Sequence, residues 1–284
     1  MKIYINGKIV DETEAKISVF DRGYLFGEGL FETFRSYKGH LPFLDDHLHR
    51  MEWSATFIGI PFPHPETIKR GIKEVLQANN LSDARIKILL STLNKGMRPH
   101  VNTEDSEINL VILCEAFIPL PDKDYEEGVH LAVIHSVKND PVPSSNIKAM
   151  NYLSKMIARK EFQEKSAFDG ILVNSSGFVT ETTSSNIFWY DGKKIHTPPV
   201  EAGLLPGITR NIVIKLIKEN GLLFSESLIA PEELVKMPEI FLTGSTLEIM
   251  PVSEIDGEEV GESQKIIKQI KELYKSRLEQ EIKG

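Results

Sequence analysis

Hydrophobic and polar positions along the first half of this chain follow two spacings. Leu30 to Tyr37 alternates at every second residue, as a half-buried strand does, and the Asn-Gly pair within Ile5–Lys8 is typical of a tight hairpin. Helical spacing follows, interrupted at Pro61. The apolar stripes on either side of that proline consist of Leu48, Met51, Ala55 and Ile58, and of Ile68, Ile72, Val75 and Leu76. We therefore predict a hairpin, a strand and two helices.

Two further strands and a connection complete the first half. Apolar runs from Ile86 to Leu93 and from Ile108 to Phe117 are typical of strands. Prolines and charges follow within Ile118–Asp124, which indicates a link between two well-patterned regions. We predict an N-terminal α/β domain over residues 1–117, a linker over 118–128 and a C-terminal domain over 129–284.

The second half again mixes both spacings. Helical spacing predicts a helix that ends near Lys165, one that begins after Gly207 and has Gly221 as its C-cap, and a last one from about Ser263. Strands are predicted at Val129–Val137, Gly170–Val173, Asn186–Tyr190 and Ile240–Thr243. The fold class is therefore predicted to be mixed α/β (α+β).

Composition narrows the classes of function. The chain has 284 residues, 41% hydrophobic and 26% charged, which is ordinary for a globular protein of about two domains. A net charge of −8 without a basic cluster excludes a nucleic-acid footprint. No apolar run is long enough to span a membrane and the N-terminus lacks a signal-peptide core, so we expect a cytoplasmic protein. The single cysteine, Cys114, stands in an apolar run and is predicted to be buried rather than catalytic.

Two apparent motifs do not support their usual readings. Gly27-Glu-Gly29 precedes a predicted strand, whereas a dinucleotide-binding glycine motif precedes a helix. His47 and His49 are two residues apart on a predicted helix, so their side chains point to different sides. We therefore predict no dinucleotide site from the glycines and no metal site from the histidines.

One lysine and one glutamate stand in distinctive surroundings. Lys148 lies just before a predicted helix in Asn146-Ile-Lys-Ala-Met-Asn-Tyr-Leu153, and Glu181 lies in the hydroxyl-rich turn Val179-Thr-Glu-Thr-Thr-Ser-Ser-Asn-Ile-Phe188. Together they resemble the core of the class IV (fold type IV) pyridoxal-phosphate enzymes. The resemblance extends from Phe20 to Val252 and implies two α/β domains with pyridoxal 5′-phosphate at their interface.

The resemblance implies a role for several residues. Lys148 matches the lysine that holds the cofactor covalently and then moves the α-proton of the substrate. Glu181 matches the carboxylate that keeps the pyridine nitrogen protonated, and Tyr152 the contact to the phenolic oxygen. Ser185 and Asn186, beside Glu181, are predicted to contact the cofactor as well.

An anionic phosphate needs its own site, and two segments and one arginine suit it. Gly207-Ile208-Thr209 opens a helix, where unpaired N–H groups and the helix dipole favour an anion. Ser245 and Thr246 follow a predicted strand in a turn of small residues. Arg50 matches the family arginine whose planar fork binds the phosphate in two places.

Three signals bear on the substrate, and they differ. Arg98 and His100 resemble the Arg-x-His pair with which D-amino-acid aminotransferases bind the substrate carboxylate of a neighbouring subunit, although the lead-in Asn94–Met97 departs from that pattern. Thr33 and the basic Arg35 resemble aminodeoxychorismate lyases, and Arg35 is a second candidate for the carboxylate. Asn151-Tyr-Leu153 resembles branched-chain enzymes and some lyases.

The resemblance therefore implies a transaminase, with D-amino acids such as D-alanine or D-glutamate as its leading substrates. Its mechanism would be ping-pong, with an amino acid and a 2-oxo acid as alternating substrates. An aminodeoxychorismate lyase and an L-branched-chain aminotransferase are the alternative enzymes. A protein that binds the cofactor without turnover is a third, non-enzymatic hypothesis. A homodimer is expected, because family active sites take a loop from the partner subunit.

Overall fold

A computed structural model describes residues 1–93, 97–98, 107–261 and 263–283 of the chain. The chain forms two compact units. The first consists of Met1–Ile118 and Ile147–Tyr152, and the second of Pro119–Asn146 and Leu153–Gly284. Each unit has a hydrophobic core of its own. Within the described ranges, no helix is both long and apolar enough to cross a membrane.

The first unit is built on a five-stranded antiparallel sheet with the strand order β2-β1-β5-β4-β3. Strand β3 therefore lies at one edge of this sheet. The elements are β1 (Lys2–Ile5), β2 (Lys8–Asp11), α1 (Arg22–Phe26), β3 (Gly29–Arg35), α2 (Leu44–Ile58), α3 (Pro65–Ala78), β4 (Ala84–Leu93) and β5 (Glu107–Ala116).

Local sequence accounts for these elements. Asn6 and Gly7 both have positive φ, 49° and 90°, as the tight hairpin between β1 and β2 requires. Helix α2 ends at Gly59, whose left-handed φ of 71° is typical of a glycine after a helix. The predicted apolar stripes of α2 and α3 are confirmed. Ile58 is half-buried, and the other members are buried, namely Leu48, Met51, Ala55, Ile68, Ile72, Val75 and Leu76. The burial of Cys114 is also confirmed.

The second unit contains a nine-stranded mixed sheet with the order β11-β10-β9-β12-β13-β6-β7-β8, and β14 pairs with β13. Its elements are α4 (Asp122–Glu127), β6 (Val129–Val133), α5 (Leu153–Glu164), β7 (Asp169–Val173), β8 (Val179–Thr182), β9 (Asn186–Tyr190), β10 (Ile195–Thr197), α6 (Ile208–Glu219), β11 (Phe224–Glu226), α7 (Pro231–Leu234), β12 (Glu239–Gly244), β13 (Glu248–Ile255), β14 (Glu258–Glu259) and α8 (Lys265–Lys283).

The structure divides the chain differently from the sequence-based boundaries. Ile147–Tyr152 belongs to the first unit, although the sequence placed it in the C-terminal domain. The reason is backbone pairing with β3, which brings a late segment to an early sheet. The predicted linker 118–128 contains helix α4, and the strand predicted to reach Val137 ends at Val133. Helix α6 has Asn220 rather than Gly221 as its C-cap.

Candidate active site

Lys148 lies in a short segment that extends the sheet of the first unit beyond its edge. The amide of Phe31 donates a 2.9 Å hydrogen bond to the carbonyl of Lys148, and the amide of Met150 donates one of 2.8 Å to the carbonyl of Gly29. Between them Ala149 forms an antiparallel bridge with Leu30. Ile147 and Ala149 pack against the hydrophobic core of the unit. Lys148 is therefore held by backbone pairing, as a strand residue is, and not by a loose loop.

Three side chains, including that of Lys148, contact the ring of Phe31. The ammonium nitrogen of Lys148 lies 4.7 Å from the ring centroid, and that of Lys87 lies 5.0 Å from the same centroid. The ring of Tyr152 meets Phe31 edge to face at 5.8 Å. Thr33 is paired with Lys87 in the ladder of β3 and β4. Burial, together with the charge of Arg85, lowers the pKa of Lys87 below its usual value.

Sequence reasoning missed Lys87. The only signal was its register opposite Thr33, which no local pattern shows. An ammonium group over an aromatic ring is attracted by the negative face of the ring, and Phe31 places two such groups together.

A buried ionic cluster lies on the other face of β3. Glu32 is 1% exposed, and its carboxylate accepts hydrogen bonds from Nε and Nη2 of Arg50 at 2.8 and 2.7 Å. It also lies 2.8 Å from Nδ1 of His47. This bidentate contact fixes the plane of the Arg50 guanidinium, the group predicted to bind the phosphate.

Charge pairing in this cluster outweighs the effect of burial on the pKa of Glu32. Burial raises the pKa of Glu32, but the charge of Arg50 and the contacts with His47 lower it to about 2. Burial lowers the pKa of His47, and Glu32 opposes that change. Glu32 is therefore ionised near neutral pH. Nδ1 of His47 carries a hydrogen and donates a hydrogen bond to the carboxylate.

Glu181 is the buried carboxylate of the second unit, and both of its oxygens have partners. It is 5% exposed. Oε1 lies 2.9 Å from Nζ of Lys155, near the start of α5. Oε2 accepts a 3.1 Å hydrogen bond from the amide of Leu205. Sequence reasoning identified Glu181 but missed Lys155, because nothing in the pattern of α5 marks one of its lysines.

The hydroxyl groups after Glu181 form a packed polar network. They are organised by Asp169, which is 2% exposed. Its carboxylate accepts hydrogen bonds from the hydroxyls of Thr182 at 2.7 Å, Thr183 at 2.5 Å and Ser184 at 2.8 Å. The hydroxyls of Thr182 and Ser185 also lie 2.7 Å apart. This network fixes the turn that follows Glu181, and Asp169 is a residue that sequence reasoning missed.

The segment before α6 is fixed from both sides. Leu205 donates to Glu181 through its amide, and its carbonyl accepts a 2.9 Å hydrogen bond from Nδ2 of Asn186. A Cβ atom at Gly207 would collide with Oδ1 of Asn186, so any larger residue would require the Asn186 side chain to move. Helix α6 then begins at Ile208 with Gly207 as N-cap and no side-chain cap. Its first amides are thus directed outward from a fixed helix start.

The two segments predicted to bind phosphate share a neighbour in Tyr274 of α8. Its side chain is hydrogen-bonded to Thr209. Burial, and then the charge of Glu248, raises the pKa of Tyr274 above its usual value. Glu248 ends the turn that contains Ser245 and Thr246, because Gly244 pairs with it across β12 and β13. The described residues offer no hydrogen-bond partner to the buried hydroxyl of Thr243, one residue before that turn.

The residues predicted to bind substrate are only partly described. The guanidinium of Arg35 stacks on Tyr37 at 4.3 Å and on Phe117 at 3.8 Å, on the same side of β3 as Phe31 and Thr33. Arg98 is exposed, and its carbonyl accepts a 3.2 Å hydrogen bond from Nη1 of Arg22. His100 lies outside the described residues.

The structure therefore groups the predicted site residues by unit. The first unit holds Thr33, Arg35, Arg50, Arg98, Lys148 and Tyr152, and the second holds Glu181, Ser185, Asn186, Gly207, Ile208, Thr209, Ser245 and Thr246. Among the residues that the structure describes, no group of histidine, cysteine or acidic side chains is arranged to hold a metal ion.

Comparison with known proteins identifies the family of the chain. Residues 29–255 match the family described as amino-transferase class IV. The chain is 38% identical over 282 residues to a Methanocaldococcus jannaschii protein provisionally named branched-chain-amino-acid aminotransferase, covering 97% of this chain and 96% of the relative. It is 34% identical to the D-alanine aminotransferase of Bacillus licheniformis, covering 92% of this chain and 90% of the relative. The crystal structure of the Escherichia coli branched-chain aminotransferase is similar with a TM-score of 0.90 at 27% identity, covering 98% and 94%.

Proposed function

The chain belongs to the class IV aminotransferases, and we propose that it moves an amino group between D-amino acids, such as D-alanine or D-glutamate, and 2-oxo acids. The cofactor of this family is pyridoxal 5′-phosphate. The observation that carries the proposal is the fixed position of Lys148 beside the Phe31 ring. A lysine held by backbone pairing is suited to meet one reacting atom repeatedly in the same geometry.

The residues present fit this cofactor. Three groups are suited to an anion such as a phosphate. They are the outward amides at the start of α6, the hydroxyls of Ser245 and Thr246, and the buried hydroxyl of Thr243, which has no hydrogen-bond partner among the described residues. Glu181 offers a buried carboxylate for a protonated ring nitrogen. When bound, the cofactor supplies an electron-accepting ring that stabilises negative charge at the substrate α-carbon.

The proposed roles of the protein groups follow from their chemistry. Nζ of Lys148 would hold the cofactor until the substrate amine replaces it, and would then remove the α-proton and return it on the other side of the substrate nitrogen, at the carbon to which Nζ had been bound. Glu181 provides a negative charge at the ring nitrogen, and Arg50 pairs with the phosphate. Phe31 lies against the ammonium of Lys148, and Tyr152 packs on Phe31.

The preference for D-amino acids rests on Arg98, which is exposed and so is available to a neighbouring subunit. The similarity to the B. licheniformis enzyme supports it. A homodimer in the cytoplasm is part of the same proposal, since Arg98 would act across the subunit interface. Size-exclusion chromatography with light scattering tests the dimer.

A second candidate is an L-branched-chain aminotransferase. The higher identity to the M. jannaschii relative and the similarity to the E. coli structure favour it. A third, an aminodeoxychorismate lyase, is favoured by Thr33 and by the cations Lys87 and Arg35 on the same side of the sheet, which suit a substrate with more than one carboxylate.

A half-reaction with single substrates separates the three candidates. The purified holoenzyme is mixed with D-alanine, D-glutamate, L-leucine or L-glutamate, and the visible absorption of the bound cofactor is followed. We expect loss of that absorption with the D-substrates only. Loss with the L-substrates only would identify the branched-chain enzyme. Absorption that responds to none of them, together with pyruvate release from aminodeoxychorismate, would identify the lyase.

A further inference from the structure

Lys155 and Glu181 form an ion pair within the second unit, at the carboxylate proposed to meet the ring nitrogen. Nζ of Lys155 lies 2.9 Å from Oε1 of Glu181, and the side chains are 24% and 7% exposed. The pair is therefore largely withdrawn from water. Coulomb interactions in such a partly buried environment are stronger than at an open surface. The amide of Leu205 holds the other oxygen, so the carboxylate is fixed from two sides.

Two cations would share this carboxylate once the cofactor binds. A protonated ring nitrogen carries a positive charge, and the ammonium of Lys155 is already beside the same carboxylate. Like charges a few ångströms apart repel each other, so Lys155 weakens the attraction between Glu181 and the ring nitrogen. In the cofactor-free protein the same ammonium has the opposite effect, since it neutralises a buried carboxylate that would otherwise be costly.

We propose that Lys155 is a positioning residue that orients and neutralises Glu181 and thereby sets how strongly Glu181 binds the ring nitrogen of the cofactor. The inference rests on the proposed function through the role of Glu181. Lys155 does not react itself; it acts through the carboxylate.

Three variants isolate this effect. Lys155→Met removes the charge and keeps most of the apolar stem, and Lys155→Arg keeps the charge. Lys160→Met removes an exposed lysine of the same helix and is the matched control. Each protein is stripped of cofactor, its melting temperature is measured, and pyridoxal 5′-phosphate is titrated in while tryptophan fluorescence is followed.

The expected changes have opposite signs in the two states. Cofactor-free Lys155→Met melts at a lower temperature than the wild type, because Glu181 has lost its cation. It binds the cofactor about tenfold more tightly, because the competing cation is gone. The pH at which the visible absorption of the bound cofactor changes moves upward, since removing a positive charge favours proton binding nearby. Lys155→Arg and Lys160→Met behave like the wild type.

Glu181→Gln tests whether Lys155 acts through Glu181. In that background Lys155→Met should change cofactor affinity far less, because without the carboxylate the ring nitrogen is no longer kept protonated and carries no charge for Lys155 to repel. An effect of the same size in both backgrounds would overturn the proposal, since a merely structural lysine would give that result. Equal or weaker cofactor binding by Lys155→Met alone would overturn it as well.

The same titrations separate this inference from the proposed function. If Glu181→Gln weakens cofactor binding and Lys155→Met matches the wild type, the role of Glu181 stands and only the inference about Lys155 fails. If Glu181→Gln leaves cofactor binding unchanged, the assignment of Glu181 is wrong and the inference is overturned with it.

Discussion

The backbone of Lys148 is hydrogen-bonded to that of Phe31, and the ring of Phe31 lies beneath the ammonium of Lys148. One residue of β3 thus determines both where the lysine backbone lies and what its side chain contacts. Any change that separates the two strands should therefore affect the chemistry at Lys148 before it affects the fold.

Gly29→Ala should separate them. A Cβ atom at Gly29 would lie 2.5 Å from Sδ of Met150 and 3.1 Å from the carbonyl of Leu90. Met150 would have to move. Its amide donates one of the hydrogen bonds that hold the lysine segment to β3. We expect a destabilisation of about 1–3 kcal/mol, typical of overpacking, and a larger relative loss of kcat. Urea unfolding and steady-state kinetics measure the two.

Met150→Ala provides the control for that prediction. In the Gly29→Ala/Met150→Ala double variant the flexible side chain no longer obstructs the new methyl group, so part of the lost kcat should return. No recovery would show that the carbonyl of Leu90, and not Met150, determines the effect.

Glu32→Gln should change the response of stability to acid. The pKa of Glu32 is about 2 in the folded chain, below its ordinary value of 4.5. Its ionised form therefore stabilises the fold above about pH 4.5, and this contribution disappears as the pH falls towards 2. At 1.36 kcal/mol per pKa unit, it amounts to about 3 kcal/mol. Glu32→Gln should lower the free energy of unfolding at pH 7 by about that amount and flatten its decline between pH 4.5 and 2.

An exposed carboxylate of α2, the helix that carries His47 and Arg50, gives the comparison. Asp46→Asn changes a residue on the outer side of α2, so it should retain the acid response of the wild type. Urea unfolding at a series of pH values measures all three proteins. A Glu32→Gln variant whose decline matches that of the wild type would contradict the charge pairing with Arg50 and His47.

Lys87→Met should lower the use of acidic donors. The ammonium of Lys87 shares the Phe31 ring with Lys148, which places a cation where a second substrate carboxylate could reach it. We expect kcat/KM for D-glutamate to fall about tenfold more than that for D-alanine, equivalent to about 1.4 kcal/mol. Arg85→Met, an exposed cation on the same side of β4, should leave the ratio unchanged. Equal losses with both donors would remove Lys87 from the specificity site.

Local patterns predicted the elements whose causes are local. The hairpin at Asn6 and Gly7 and the apolar stripe of α2 depend on residues within a few positions of each other, and both are confirmed. The alternation of Leu30 to Tyr37 predicted a strand but not which face is buried. Glu32 faces the core because its partners His47 and Arg50 come from the next helix, a fact that no strand pattern contains.

The remaining differences have non-local causes. The segment around Lys148 joins a strand more than one hundred residues earlier, so its sequence position alone suggested the wrong unit. Lys155 is one of two lysines on α5, and only its distance from Glu181 distinguishes it. Local sequence does not mark Asp169 either, because its role depends on a turn thirteen to fifteen residues later. Such contacts arise from tertiary packing, which periodicity does not encode.

The account depends most directly on which lysine holds the cofactor. Borohydride reduction of the holoenzyme fixes the cofactor to that lysine, and peptide mass spectrometry then locates it. The structure offers three lysines for comparison, of which Lys87 and Lys148 share the Phe31 ring and Lys155 contacts Glu181. We predict the modification on Lys148 alone and none in Lys148→Ala. A modification on Lys87 or Lys155, or one that persists in Lys148→Ala, would contradict the account.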